Sequence, residues 1–140
     1  MTDLSGFTEQ EVWNAIFNDT EPSLNTGDIY VSLHTADEGN NPDATAEVDA
    51  ASYNRVAGPA ADWEVTGDGP TVATNNAEIN FGDPQENWGN VTHFAIWTED
   101  EGVAGEEPLS STVALDVEQS IDENTDEVRF DPNDLTANLD

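Results

Sequence analysis

The sequence contains no cysteine and no lysine, and each absence excludes a class of function. Without cysteine the chain forms no disulfide, no thiolate metal site and no cysteine nucleophile. Arg55 and Arg129 are its only permanently cationic side chains. Binding to DNA, RNA or an anionic membrane depends on many cations that neutralise phosphates, so no nucleic-acid partner is expected.

Long apolar runs are also absent. Stretches such as "HFAIW" (residues 93–97) are far too short to span a bilayer, so no membrane insertion is expected. No basic segment followed by an apolar one opens the sequence, and no secretory signal is predicted. Four Trp, five Phe and two Tyr still supply a modest core. We therefore predict one domain over residues 1–140.

Acidic residues are abundant. Asp and Glu total 31 and give a formal charge of −29. In low salt, self-repulsion of this kind destabilises the compact state, whereas at molar salt a Debye length of about 3 Å screens it. Because the acids occur in nearly every predicted loop, we interpret them as an adaptation to very high salt. The alternative is an acidic protein that mimics nucleic acid and blocks a basic groove.

The N-terminal residues carry the clearest helix signal. The segment Thr8–Glu11, "TEQE", matches a capping box, with Phe7 and Val12 at the positions of a hydrophobic staple. A helix is predicted over about residues 8–18, and Pro22 bars its continuation. One apolar stripe of this helix is predicted to pack on the core: Val12, Trp13, Ile16 and Phe17.

The rest of the chain predicts short strands separated by turn residues. The signals are "DIYVSLHT", "SYNRVAG", "DWEVTG", "NNAEINF", "WGNVTHFAIWTE", "LSSTVALDV", "DEVRF" and "LTANL". "DIYVSLHT" places Ile29, Val31 and Leu33 on one face and Tyr30, Ser32 and His34 on the other. "WGNVTHFAIWTE" is apolar on both faces, as a central strand is, with Val91 on the face of His93, Ala95 and Trp97. In "LTANL", Leu135, Ala137 and Leu139 alternate. The predicted fold is mainly β, an antiparallel sandwich or jelly roll with one short N-terminal helix.

Two histidines raise the question of a site. His34 ends a strand and is followed by Asp37, Glu38 and Asp43, which permits a metal or catalytic site or, instead, a strand that gives way to a hydrated loop. His93 lies within a strand, and no nucleophile motif "GxSxG" is present. We favour packed strand histidines and predict no catalytic, cofactor-binding or metal residues.

Calcium is the one ion that the composition favours, because carboxylate and amide oxygens abound. The segment "DEGNNPDATAE" has ligand types at Asp37, Asn41, Asp43 and Glu47, but in no recognised spacing. "DPNDLTANLD" begins like an EF-hand loop with Asp131 and Asn133, yet Leu135 occupies the next ligand position. A surface cation site in the loop of residues 36–51 is left as an open alternative.

Several segments, in order, resemble a known family. They are "IYVSLHTADEGNNPD" (29–43), "YNRVAG" (53–58), "TNNAEINF" (74–81), "WGNVTHFAIW" (88–97) and "LTANLD" (135–140). The chain is similar to small tailed-phage virion proteins, usually labelled phage tail fibre proteins. Where that family has a Gly-Asp turn before its penultimate strand, this chain has "SIDENTDEV", which affects the hairpin expected near residues 119–128.

The resemblance implies a structural, non-catalytic subunit located in the virion and assembled in the host cytoplasm. Its partners would be other virion proteins and further copies of itself, because virion positions are symmetric. With the acidic composition, it indicates a tailed virus of a halophilic archaeon. Capsid decoration or turret and tail-fibre positions both remain open, as does a receptor- or glycan-binding module with exposed Trp63 or Trp88. Arg55 and Arg129 are predicted to pair with carboxylates. The pairs lie either within one subunit or across an interface, and we favour the first.

Overall fold

A computed structural model describes residues 4–18, 27–67 and 72–138. Within these residues the chain forms one α-helix, a short 3-10 turn and nine strands. They are α1 (Gly6–Phe17), β1 (Asp28–His34), β2 (Val56–Pro59), the 3-10 turn (Ala60–Asp62), β3 (Trp63–Thr66), β4 (Val72–Asn75), β5 (Ile79–Gly82), β6 (Gly89–Trp97), β7 (Val113–Ile121), β8 (Val128–Phe130) and β9 (Thr136–Asn138). The mainly-β class with one short helix is confirmed.

The strands pair antiparallel in three sheets. Their orders are β2-β1-β6-β7, β3-β4-β9 and β5-β8. The prediction that β6 is central is confirmed, because β6 lies between β1 and β7. Strand β4 was not predicted, since its four residues follow a Gly-Pro turn and give too short a pattern. The hairpin expected near residues 119–128 is wrong: β8 pairs with β5, and a turn over residues 122–125 joins it to β7.

Buried apolar side chains from all three sheets meet in one core. Ile29, Val31 and Leu33 contribute from β1, as the alternation predicted. Val48 and Tyr53 contribute from the loop between β1 and β2. The other members lie on β5 to β9 and in the loops between them: Ile79, Phe81, Trp88, Val91, Phe94, Ile96, Val113, Ile121, Val128, Phe130, Leu135 and Ala137. Leu139 and Pro22, which the sequence analysis used, lie outside the described residues.

A register shift changes which residues of β6 face the core. Opposite β6, the partner on β7 moves from Gln119 at Val91 to Ala114 at His93. Extra residues on one strand of a pair form a bulge and reorient the side chains beside it. Val91 therefore joins Phe94 in the core, and its predicted place on the face of Ala95 and Trp97 is wrong.

The helix begins earlier than predicted and has a different cap. Ser5 is the N-cap, and its hydroxyl accepts a hydrogen bond from the Thr8 amide at 3.1 Å. The predicted cap, Thr8, lies inside the helix, and its hydroxyl donates to the Leu109 carbonyl at 2.8 Å. Ser5 prevails because its backbone amide and hydroxyl also donate to the Leu109 and Pro108 carbonyls, which fixes it against the protein body.

The helix does not pack its apolar stripe on the core, and that prediction is wrong. Thr8 is the one buried residue of α1. The stripe is exposed instead, with exposed fractions of 39% for Val12, 58% for Trp13, 63% for Ile16 and 72% for Phe17. Hydrogen bonds from Ser5, Gly6 and Thr8 attach the start of the helix to the body, whereas the apolar stripe is exposed. The predicted helical periodicity was therefore correct, but its assignment to the interior was not.

Candidate functional site

The second face of the four-stranded sheet, turned away from the core, is polar and buried. Ser32, His34, Ala95 and Trp97 lie on it, with Tyr30 opposite Trp97 and Ser32 opposite Ala95 in the β1–β6 register. Two loops fold back beside these strands: His34 forms a bridge with Glu47, and Trp97 forms one with Pro108. Side chains from the loops cover this face and form two connected polar networks.

The first network runs from Trp97 to Glu38. The Trp97 indole N–H donates to Ser32 Oγ at 2.7 Å, and Ser32 Oγ lies 2.6 Å from His34 Nε2. His34 Nδ1 lies 2.6 Å from Glu38 Oε1. These partners place the histidine proton on Nδ1, so that the indole donates to serine, serine to histidine and histidine to glutamate. Burial lowers the pKa of His34 although its hydrogen bond to Glu38 opposes this shift, and a neutral ring fits that order.

This network has the atom order of a serine–histidine–acid triad, but the serine is inaccessible. Ser32 and His34 are both 0% exposed. Ser32 Oγ already accepts from Trp97 and lies against the Ala95 carbonyl, so a substrate carbonyl has no free approach to it. The chain of hydrogen bonds therefore fixes the ring of His34 between sheet and loop. His93, on the same strand pair, bonds its neighbour Thr92 at 2.7 Å.

Glu38 then orders the loop that was predicted to be hydrated. Its carboxylate accepts the Ala46 amide at 3.0 Å and the Asp43 amide at 2.9 Å. Asp37 accepts the Thr112 hydroxyl at 2.7 Å, and this bond, together with that from the Gly39 amide, lowers the pKa of Asp37. The side chain of Glu38 is 7% exposed, so the interpretation as a hydrated loop is wrong for this residue and holds for the exposed Asp37 and Asp43.

The second network surrounds Arg55. Its guanidinium binds Glu47 through two bonds, of 2.9 and 2.7 Å, and reaches Glu106 at 3.2 Å. It also lies over the Trp97 ring at 4.0 Å. Burial disfavours the charged guanidinium, but the hydrogen bonds and charges of Glu47 and Glu106 outweigh it and raise its pKa. Trp97 thus joins the two networks, through its N–H and through its ring face.

Tyr53 connects Glu47 to β1. Its hydroxyl donates to Glu47 at 2.9 Å and accepts the Leu33 amide at 2.9 Å. Burial, reinforced by the charge of Glu47, raises the pKa of Tyr53 far above its ordinary value, so the phenol stays protonated as a donor. Among the described residues, every buried side-chain nitrogen and oxygen has a hydrogen-bond partner. The polar layer is therefore fully satisfied and stabilises the fold.

Arg129 has a different environment. It is half exposed, on β8, and its nearest carboxylates (Glu78, Glu127 and Asp131) lie 3.7–3.9 Å away. Both arginines thus find carboxylates within their own chain, as predicted, but only Arg55 is buried with its partner.

The residues considered for calcium do not converge. Across residues 4–18, 27–67 and 72–138, no group of three or more His, Asp or Glu side chains could hold a metal ion. Glu47 is paired with Arg55, and Glu38 with His34. Leu135 of the EF-hand-like segment is buried in the core. In the same residues no helix is long and apolar enough to cross a membrane.

The tryptophans proposed for receptor contact do not present exposed rings. Trp88 is buried, and its N–H donates to Ser52 Oγ at 3.0 Å. Trp63 is half-buried and packs against the core. The exposed aromatic rings are Trp13 and Phe17 of α1, stacked with centroids 5.1 Å apart.

The sequence indicated the central residue of each network, His34 and Arg55, but not most of their hydrogen-bond partners. It did not indicate that Ser32 would bond with His34 and Trp97, or that Glu106 would bond with Arg55. Trp97 is 65 residues from Ser32, and the β1–β6 register brings these two together. Glu106 is 51 residues from Arg55, and the return of the two loops that carry them brings them together. The alternation that placed Ser32 and His34 on one strand face was the available clue.

Fold and site together define a mainly-β domain in which the hydrogen-bonded network of Ser32, His34 and Glu38 is buried and supports a loop. A family model described as Podophage GP4 fiber I protein gp80 matches residues 3–138 of the 140. The chain belongs to this family of phage fibre proteins and is a virion-associated structural protein. No curated protein matches the chain.

Proposed function

We propose that the chain is a fibre subunit of a tailed virus that infects a halophilic archaeon. In this role it is present in the particle as a homo-oligomer, contacts other virion proteins and is assembled in the host cytoplasm. The observation that carries the proposal is the family match over residues 3–138. The role needs no bound cofactor and no reaction, in keeping with the buried Ser32 and His34.

The acidic surface supports the halophilic host. With 31 acids against two arginines, one of which is buried, the charged groups of the chain are almost all acidic. Carboxylates at this density repel one another in dilute salt. At molar salt, where the Debye length falls to about 3 Å, this repulsion is largely screened. An extracellular virus of a salt-saturated habitat has its surface in that medium throughout its life outside the cell.

Quantitative mass spectrometry of purified particles tests the proposal. A fibre subunit is expected in every particle at a few copies, far fewer than the major capsid protein. Copy numbers comparable with the major capsid protein would instead indicate capsid decoration. Absence from purified particles, with abundance in the infected-cell extract, would overturn the virion role and favour the acidic nucleic-acid mimic.

A further inference from the structure

The apolar face of α1 has no partner among the described residues. We call the four side chains Val12, Trp13, Ile16 and Phe17 the helix face; all four are exposed, and Trp13 and Phe17 stack on each other. The largest apolar patch on a typical monomer measures about 300–600 Å² and often has a function. The exposed fractions correspond to an area on the order of 400 Å², of which the two aromatic rings supply more than half.

The helix is held in a way that presents this face outward. At its start, Ser5 and Thr8 are bonded to the carbonyls of Pro108 and Leu109, and the Gly6 amide donates to the Asn40 carbonyl at 3.1 Å. A side chain at position 6 would meet Asn41 at 2.5 Å, so glycine allows this close approach. The helix face lies on the turns beyond this attachment, where no strand covers it.

The charge pattern indicates what can approach this face. Residues 12–18 carry no charged side chain, although acids make up 31 of the 140 residues. A partner rich in cations would be attracted to the acidic surface in general and would not need an uncharged apolar face. A second copy of this chain, itself at −29, is repelled by that acidic surface and can approach closely only where charge is absent.

Few large apolar side chains lie outside the described ranges. Residues 1–3, 19–26, 68–71 and 139–140, which lie outside the described ranges, contain only Met1, Leu24 and Leu139 as large apolar residues. Two helix faces packed together would bury on the order of 800 Å², close to the roughly 1,000 Å² that a specific interface requires. Flanking side chains such as Gln10 and Asn14 can supply the difference.

We propose that the helix face packs against the same face of a second copy and is the self-association surface of the subunit. This inference rests on the proposed function, because a fibre places identical subunits side by side. Contact through the uncharged helix face also brings few carboxylates of the two copies together. Salt strengthens the association, because it screens the repulsion that remains between them.

Sedimentation velocity of the purified chain in molar salt tests the proposal. Wild type is expected to exceed its monomer mass of 15.1 kDa over the micromolar range. Ile16→Asn and Phe17→Ser should each weaken association at least about tenfold, since each removes a large apolar contact. Val117→Asn is the matched control, because Val117 is similarly exposed, at 68%, but lies on β7; it should associate like wild type.

Two results would overturn the proposal. One is a wild-type chain that remains at 15.1 kDa throughout. The other is association that neither helix variant weakens, which would assign the contact to another surface. Circular dichroism of each variant shows whether α1 is intact.

A cross-linking experiment tests the proposal independently of whether Ile16→Asn and Phe17→Ser keep the helix folded. Because the chain has no cysteine, Ile16→Cys and Val117→Cys each introduce a single thiol. On mild oxidation Ile16→Cys should form the covalent dimer at least about tenfold faster than Val117→Cys, because the proposed packing brings the two thiols into contact. Equal rates would contradict the proposal.

Sedimentation tests the helix-face contact and the analysis of purified particles tests the fibre role, so the two proposals can fail separately. A monomeric chain that is nevertheless found in purified particles retains the fibre role and loses the helix-face contact. An associating chain absent from particles loses the fibre role.

Discussion

Arg55 and Arg129 have the same charge but different surroundings, and we expect them to contribute differently to the stability of the fold. Arg55 is buried, holds Glu47 through two bonds and lies over Trp97, whereas Arg129 is half exposed among carboxylates at 3.7–3.9 Å. Removing one member of a buried pair leaves an uncompensated charge, while an exposed pair contributes little. The two arginines are therefore a matched pair for experiment.

We predict that Arg55→Met lowers the free energy of unfolding by about 3–5 kcal/mol, because Glu47 is left buried without its partner. Denaturant titration in molar salt measures this quantity. Arg129→Met should lower it by less than about 1 kcal/mol. Adding Glu47→Gln to Arg55→Met should restore about 1–3 kcal/mol, since the orphaned charge is removed while an acceptor for Tyr53 remains. Equal effects of the two single variants would refute the account of Arg55.

At this scale the sequence predicted some outcomes and not others. The scarcity of cations among 31 acids was enough to predict that each arginine pairs with carboxylates, but not which ones. The alternation through Ser32 and His34 was enough to favour a packed histidine. What it could not give is the identity of distant partners such as Trp97 and Glu106, because those depend on strand register and loop return.

For the helix and the strands, the sequence periodicity predicted whether an element forms better than it predicted what that element packs against. The β1 and β6 patterns were long enough to identify strands and the central position of β6. Strand β4 has only four residues and was missed, and the bulge beside Val91 reversed the face that strict alternation assigned to it. Bulges are set by the pairing strand, which a local pattern does not contain.

The helix is the clearest case of this limit. Its apolar stripe was recognised correctly, but an apolar stripe is the same whether it meets the core or another molecule. The N-cap was likewise ambiguous, since Ser5 and Thr8 both suit a cap and only the carbonyls of Pro108 and Leu109 decide between them. Both errors arise from tertiary contacts.

For the whole molecule, the net charge of −29 makes stability depend on the medium. We predict that the chain loses folded structure as salt falls well below molar, because the screening of its carboxylates is lost. Circular dichroism of the wild-type chain over a salt series measures the loss of folded structure. A chain fully folded at about 10 mM salt without calcium, where the Debye length is about 30 Å, would contradict the halophilic proposal.

The most direct test of the fibre role is electron microscopy of virus particles labelled with a gold-conjugated antibody fragment raised against this chain. Since the family is one of phage fibre proteins, we predict label on the fibres that project from the tail. As the control, an antibody fragment that is first incubated with an excess of the purified chain should no longer label the particles. Label distributed over the capsid, or intact particles that bind none, would contradict the account.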